Sequence, residues 1–126
     1  PLPAATRNSF TDCVLESHYG RDAAWCDVDP NSELGAGLNA SGRTISVGTS
    51  MYGAEQATAQ MRDVLARESA ETLIRSNDGS GAGFVNSYGD RADGSYFRSD
   101  GLVLGLNDLA GAAQLREFLE RAGVLG

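Results

Sequence analysis

The two cysteines of the chain, Cys13 and Cys26, lie close together near its start, with the only histidine, His18, between them. A bond between these thiols would remove about 3 kcal/mol of denatured-chain entropy, a large constraint on a small domain. Disulfides persist in oxidising compartments, so the same bond predicts an extracytoplasmic location. We therefore expect Cys13 and Cys26 to be paired in a secreted or cell-envelope protein.

A zinc site and a pair of free buried thiols are the alternatives to the disulfide. Structural zinc takes four nitrogen or sulfur ligands at close spacing, whereas Cys13, Cys26 and His18 would need an aspartate as the fourth. A catalytic thiol needs a histidine within hydrogen-bond reach. In a helix, His18 would lie about 140° around the axis from Cys13, too far for a local dyad. We expect no metal, no cofactor and no catalytic cysteine.

The hydrophobic pattern predicts an α+β fold. Phe10, Cys13 and Val14 share one face of a helix, so an N-terminal helix is expected, followed by strand 44–52 and helix 53–70. Glycine-bounded apolar runs then predict three strands before a last helix at 108–123. The expected order is an N-terminal helix followed by β-α-β-β-β-α, with a mainly antiparallel sheet and two helices packed on one face. A tail at 1–9 and one domain at 10–126 complete the prediction.

The two longer predicted helices resemble each other. "QMRDVLAR" at 60–67 matches "QLREFLER" at 114–121 at Gln, Arg, Leu and Arg. Each helix follows a strand that contains a Val-Gly or Leu-Gly pair, at 47–48 and 104–105. An internal duplication and a coincidence between amphipathic helices both account for the match.

This repeated strand-Gly-helix order resembles the SPOR family of peptidoglycan-binding domains over residues 44–123. The resemblance implies a repeated βαβ fold and a cell-wall glycan as ligand. The chain departs from the family at Thr49 and Ser50, where the family carries an aromatic residue, and only "VLG" follows the last helix where the family has a further strand.

The charge of the chain excludes several classes of partner. Seventeen acidic residues stand against ten basic ones, for a net charge of −7. Nucleic acids and anionic membranes are bound mainly through Lys and Arg, so neither is expected as a partner. No apolar run approaches the roughly 18 residues that a membrane-spanning helix needs, so we also expect no membrane insertion.

The sequence contains no nucleophile elbow, P-loop, HExxH or CxxC motif, so we expect a non-catalytic binding module. Its acidic charge suits a basic protein surface. An inhibitor or immunity-type protein and a SPOR-like glycan binder are the specific alternatives, and a homodimer through an open sheet edge is a further one. The candidate binding surface lies in a glycine-rich hairpin and comprises Tyr88, Asp90, Asp93, Tyr96 and Arg98.

An alternative of another class is a small hydrolase that uses carboxylates of the same hairpin. Asp90, Asp93 and Asp100 are the candidates, because paired carboxylates can act as general acid and base. Aspartates that form the turns of the hairpin explain the same pattern. The exposed aromatic candidates outside the hairpin are Trp25 and Tyr52, with Phe97 pointing away from Tyr96 within one strand.

Overall fold

The structure, a computed structural model, describes residues 8–18 and 21–126, and at His18 and Arg21 it describes the backbone only. Part of the expected tail, residues 1–7, lies outside the described residues. The described residues form seven strands and two helices, in this order along the chain: β1 Phe10–His18, β2 Arg21–Val28, β3 Ser46–Met51, α1 Ala54–Arg67, β4 Leu73–Arg75, β5 Gly81–Tyr88, β6 Arg91–Arg98, β7 Leu102–Leu109 and α2 Ala112–Arg121.

The strands form one antiparallel sheet in the order β1-β2-β3-β7-β6-β5-β4. Strands β3 and β7 lie at its centre, although they are far apart in the chain, and β1 and β4 are its edges. Neither helix of the described chain has the length and apolar character to cross a membrane.

The prediction of an N-terminal helix was wrong, because Phe10–His18 forms β1 and pairs with β2. Thr11 lies opposite Asp27 and Val14 opposite Trp25, so two residues of β1 face Cys26 in a β-bulge. The extra residue interrupts the alternation of side chains that would signal a strand. Residues 11–17 of β1 are also exposed on both faces, so this stretch has no buried face from which its period could be recognised.

The predicted order β-α-β-β-β-α was also wrong, since four strands separate the helices and three precede the first. One of the three strands predicted from glycine-bounded runs, at 94–107, is divided by a turn at residues 99–101 into β6 and β7. The Gly101 N–H donates to the carbonyl of Arg98, and Gly101 has a positive φ of 108°, which favours glycine. Strand β2 was not predicted, because the sequence pattern indicated no strand before residue 44.

The helices pack on opposite faces of the sheet, so the prediction that they share one face was wrong. Phe84 and Val85 are neighbours in β5 and point to opposite faces. The guanidinium of Arg67, in α1, lies 4.8 Å from the centre of the Phe84 ring. Val85 pairs with Gly94, where an added Cβ would collide with Leu115 of α2.

The main core lies between the sheet and α2. Helix α2 covers β5, β6 and β7, and the segment 29–45 extends this cover towards β2. Arg121 fastens the helix to that segment, because its Nη1 donates to the carbonyls of Glu33, Leu34 and Ala36 at 2.9–3.3 Å. The largest fully buried side chains include Leu34, Ile45, Tyr96, Leu104, Leu106, Leu109, Leu115, Phe118 and Leu119.

On the other face, α1 covers only β5 and β6. Its Ala57 and Val64 are fully buried. The part of this face formed by β2, β3 and β7 has no helix over it in the described chain, and Trp25 of β2 lies there.

Candidate functional site

The predicted disulfide is confirmed, since Cys13 of β1 is bonded to Cys26 of β2 with 4.0 Å between their Cα atoms. Cys26 is buried in the main core, whereas Cys13 lies on the exposed strand. The bond therefore joins an edge strand that buries little surface to a strand that belongs to the core. It also indicates a non-reducing environment for the protein.

The outer strand is exposed over most of its length. All seven residues 11–17 are exposed, and no described strand pairs with the outer side of β1. Its regular part, Val14 to Ser17, continues in register with β2. We refer to residues 11–17 as the β1 edge. Such an edge presents backbone donors and acceptors to solvent.

Two apolar side chains on the β1 edge point to opposite faces of the sheet. Val14 is 52% exposed and Leu15 is 83% exposed. Val14 lies beside Trp25 in the cross-strand register, and Leu15 lies beside Ala24. Leu15 and the exposed Met51 also line one shallow, open concavity of about 560 Å³. The outer end of the sheet therefore carries an unusual apolar surface on both faces.

Trp25 lies over two glycines at the centre of the sheet. Gly48 and Gly105 are directly opposite each other in β3 and β7, and Trp25 is opposite Gly48 on its other side. A Cβ added at Gly48 would be 2.5 Å from the indole ring, and one at Gly105 would be 3.4 Å away. The two glycines therefore make room for the indole ring on the sheet surface.

A groove of about 230 Å³ runs beside Trp25. We call it the Trp25 groove; the residues that line it include Trp25, Ser50, Tyr52, Ser95 and Phe97. No charged residue lines it among the described residues. The indole Nε1 is buried and has no hydrogen-bond partner in the described part of the protein, a cost of about 1–3 kcal/mol for an ordinary buried donor.

The residues of the predicted binding surface are spread along the β5–β6 hairpin. Tyr88, 52% exposed, lies at the turn together with Asp90, and the guanidinium of Arg91 lies 5.8 Å from the Tyr88 ring centre. Arg98 lies at the far end of β6, roughly 25 Å away at 3.3 Å per residue. The hairpin therefore separates Tyr88 and Asp90 from Arg98.

Asp93 and Tyr96 make structural contacts within this hairpin. Asp93 Oδ1 accepts a hydrogen bond from the backbone N–H of Asp108 at 3.0 Å, where β7 carries a bulge. Tyr96 is fully buried, and its hydroxyl donates to the carbonyl of Val124 at 2.8 Å. Burial raises the pKa of the Tyr96 phenol, since charge is unfavourable in the core.

Of the carboxylates suggested for a hydrolase, Asp90 and Asp100 are far apart, and Asp93 accepts a backbone hydrogen bond from Asp108. Asp90 precedes β6 and Asp100 follows it, so the length of the strand separates them. Asp100 accepts two hydrogen bonds from Arg98, at 2.7 and 2.9 Å. These bonds lower the pKa of the Asp100 carboxyl and raise the pKa of Arg98. A two-carboxylate mechanism needs groups about 5–10 Å apart.

Among the described residues, no group of three or more His, Cys, Asp or Glu residues is placed to hold a metal ion. The side chain of His18, the candidate zinc ligand, lies outside the described residues. Both cysteines are engaged in the disulfide, so neither is a thiolate ligand in this state.

Comparison with known proteins gives no relative for this chain. No protein-family model matches it, and no curated protein or solved structure is significantly similar.

The sequence contained one signal for the Trp25 groove. The Val-Gly and Leu-Gly pairs at 47–48 and 104–105 indicate a repeat, and in the structure their glycines are cross-strand neighbours beneath Trp25. The β1 edge was missed because its exposed Val14 was assigned to a buried helical stripe. Exposed apolar residues in a short strand cannot be recognised from periodicity alone.

Proposed function

We propose that this chain is a non-catalytic binding domain of a bacterial cell envelope or extracellular space, and that its partner is a protein bound at the β1 edge. The observation that carries the proposal is the exposure of Val14 and Leu15 on a strand whose residues 11–17 are all exposed and which is bonded to the core through Cys13. Soluble proteins normally protect edge strands with charge, proline or cover.

The disulfide and the charge support the other parts of this proposal. A disulfide is maintained outside the reducing cytoplasm, which agrees with a secreted or envelope protein. A net charge of −7 favours a basic protein surface and disfavours anionic ones. An inhibitor or immunity-type protein that blocks a basic enzyme is one form that such a domain takes.

The test is site-specific photo-crosslinking with the oxidised chain. A photoreactive phenylalanine analogue at Leu15 is expected to give a defined protein adduct with extracytoplasmic fractions of the producing organism. The same analogue at Glu55, exposed on α1 far from β1, is the control and is expected to give none. Equal adducts at both positions, or none at Leu15, would reject the proposal.

A cell-wall glycan is the second candidate ligand, and the Trp25 groove favours it. Aromatic rings beside hydroxyl groups suit the apolar faces and hydroxyls of sugars, and the groove has an uncharged lining. Trp25 is the only tryptophan, so its fluorescence reports on this groove alone. Titration with soluble peptidoglycan fragments is the test, and an unchanged emission spectrum at millimolar concentration would reject this candidate.

A further inference from the structure

The β1 edge has the geometry to accept another strand. Val14, Leu15, Glu16 and Ser17 pair regularly with β2, and no described strand occupies their outer side. An extended segment added there would satisfy the outward backbone groups, as in strand addition to other sheet edges. The bulge at Asp12 and Cys13 limits this regular stretch at one end.

The side chains of the edge favour apolar residues in the added segment. Successive residues of a strand point to opposite faces. An added strand would therefore place side chains beside Val14 on the Trp25 side and beside Leu15 on the Met51 side. Both positions are largely open to solvent, so apolar residues there would bury Val14 and Leu15.

The charges around the edge favour basic residues at the remaining positions. Asp12, Asp22 and Asp27 belong to the β1–β2 hairpin, and none takes part in a salt bridge within the described chain. Asp22 lines the same concavity as Leu15. A second copy of the chain would bring the same acidic groups and a further charge of −7 to this edge, which disfavours self-pairing.

We propose that the β1 edge binds an extended segment of a partner protein by strand addition, and that this segment carries two adjacent apolar residues flanked by Arg or Lys. The inference rests on the proposed function, because it defines the chemistry of the protein partner. It can fail independently: a crosslink at Leu15 to a partner that uses no extended segment would preserve the function and reject the strand.

The experiment is selection from a displayed library of random decapeptides on the immobilised, oxidised chain. Enriched sequences are expected to carry two adjacent apolar residues flanked by basic residues. A synthetic peptide of the enriched sequence should slow amide hydrogen exchange at residues 14–17, bind more weakly as salt rises, and lose binding when alternate backbone nitrogens are methylated. These readouts separate backbone pairing from a simple charge contact.

The matched variants are V14T with L15T, which retain strand-forming side chains but remove apolar surface, and A59S, at an exposed apolar residue of α1. The double variant is expected to weaken peptide binding at least tenfold with an unchanged melting temperature, and A59S to leave binding unchanged.

Several outcomes would overturn the inference. They are the absence of enrichment, enriched sequences without the apolar pair and its basic flanks, exchange protection outside β1, and equal loss in A59S. A dimer detected by light scattering that the double variant dissociates would assign the edge to self-association, which also rejects it.

Discussion

The indole ring of Trp25 occupies the space that a side chain at Gly48 would need, since a Cβ there would be 2.5 Å from two ring atoms and 2.8 Å from a third, closer than packed atoms approach. Gly48 and Gly105 are cross-strand partners, and both lie under the same ring. Trp25, contributed by the outer hairpin, is thereby seated on the two central strands. This contact links the exposed end of the sheet to its centre.

Gly48→Ala is expected to destabilise the protein by about 1–3 kcal/mol, because the added methyl group displaces the ring from a packed site. Urea unfolding measures the loss, and Trp25 fluorescence should shift in the native baseline. Gly105→Ala is the control: its Cβ would lie at 3.4 Å, so a change within about 1 kcal/mol is expected. Equal costs at both glycines would contradict this account of the packing.

Removal of the disulfide by Cys13→Ala with Cys26→Ala is expected to cost about 3 kcal/mol and to release β1 first. The strand has only backbone pairing and few buried side chains to retain it. Hydrogen exchange followed by mass spectrometry should show loss of protection at residues 10–18, with β5, β6 and β7 still protected. Unchanged protection of β1 in the double variant would show that the bond is not what holds the strand.

Tyr96→Phe is expected to cost about 1–3 kcal/mol at neutral pH, because the Val124 carbonyl loses its buried donor. The variant should also change how the free energy of unfolding falls as pH rises in the alkaline range. The folded-state pKa of Tyr96 is raised above its ordinary value of 10.0, so its contribution is complete below pH 10 and is lost as pH rises towards the folded pKa. Tyr88→Phe, at an exposed position, is the control. An identical fall in this range for wild type and Tyr96→Phe would refute this assignment.

Asp100→Asn tests the ion pair with Arg98. The folded-state pKa of Asp100 is lowered from 3.8, so the stabilisation is present above that pH and is lost as pH falls through the folded pKa. Since the carboxylate is more than half exposed, the expected cost at pH 7 is below about 1 kcal/mol, and it should shrink in high salt. Asp90→Asn at the other end of β6 is the control. If the loss of stability in Asp100→Asn persists at pH 2, it arises from the turn at residues 99–101 and not from the ion pair with Arg98.

The sequence predicted the elements whose buried residues recur at regular spacing. Both helices were expected within a few residues of their positions, because Leu115 and Leu119 repeat at helical spacing along a buried stripe. Strand β1 was not, since its bulge and its exposure remove the alternation. Tyr96 and Phe97 were correctly placed on opposite faces of one strand. Whether Tyr96 or Phe97 is covered depends on where α2 packs on the sheet, and no local sequence pattern determines that position.

The suspected duplication does not extend to the packing. Strands β3 and β7 are antiparallel neighbours, so a twofold axis perpendicular to the sheet would exchange them. The same axis would leave the two following helices on one face, whereas α1 and α2 lie on opposite faces. Two amphipathic helices of similar composition therefore explain the similarity between 60–67 and 114–121 at least as well as an internal duplication does.

The disulfide between Cys13 and Cys26 joins residues only 13 positions apart. Strand β3 and its neighbour β7, in contrast, are more than fifty residues apart in the chain. Contacts between residues close in sequence form sooner, because less chain entropy opposes them. During folding, oxidation can therefore close the hairpin of β1 and β2 before the central strands pair with each other. The β1 edge is then formed early, and the rest of the sheet is added to it.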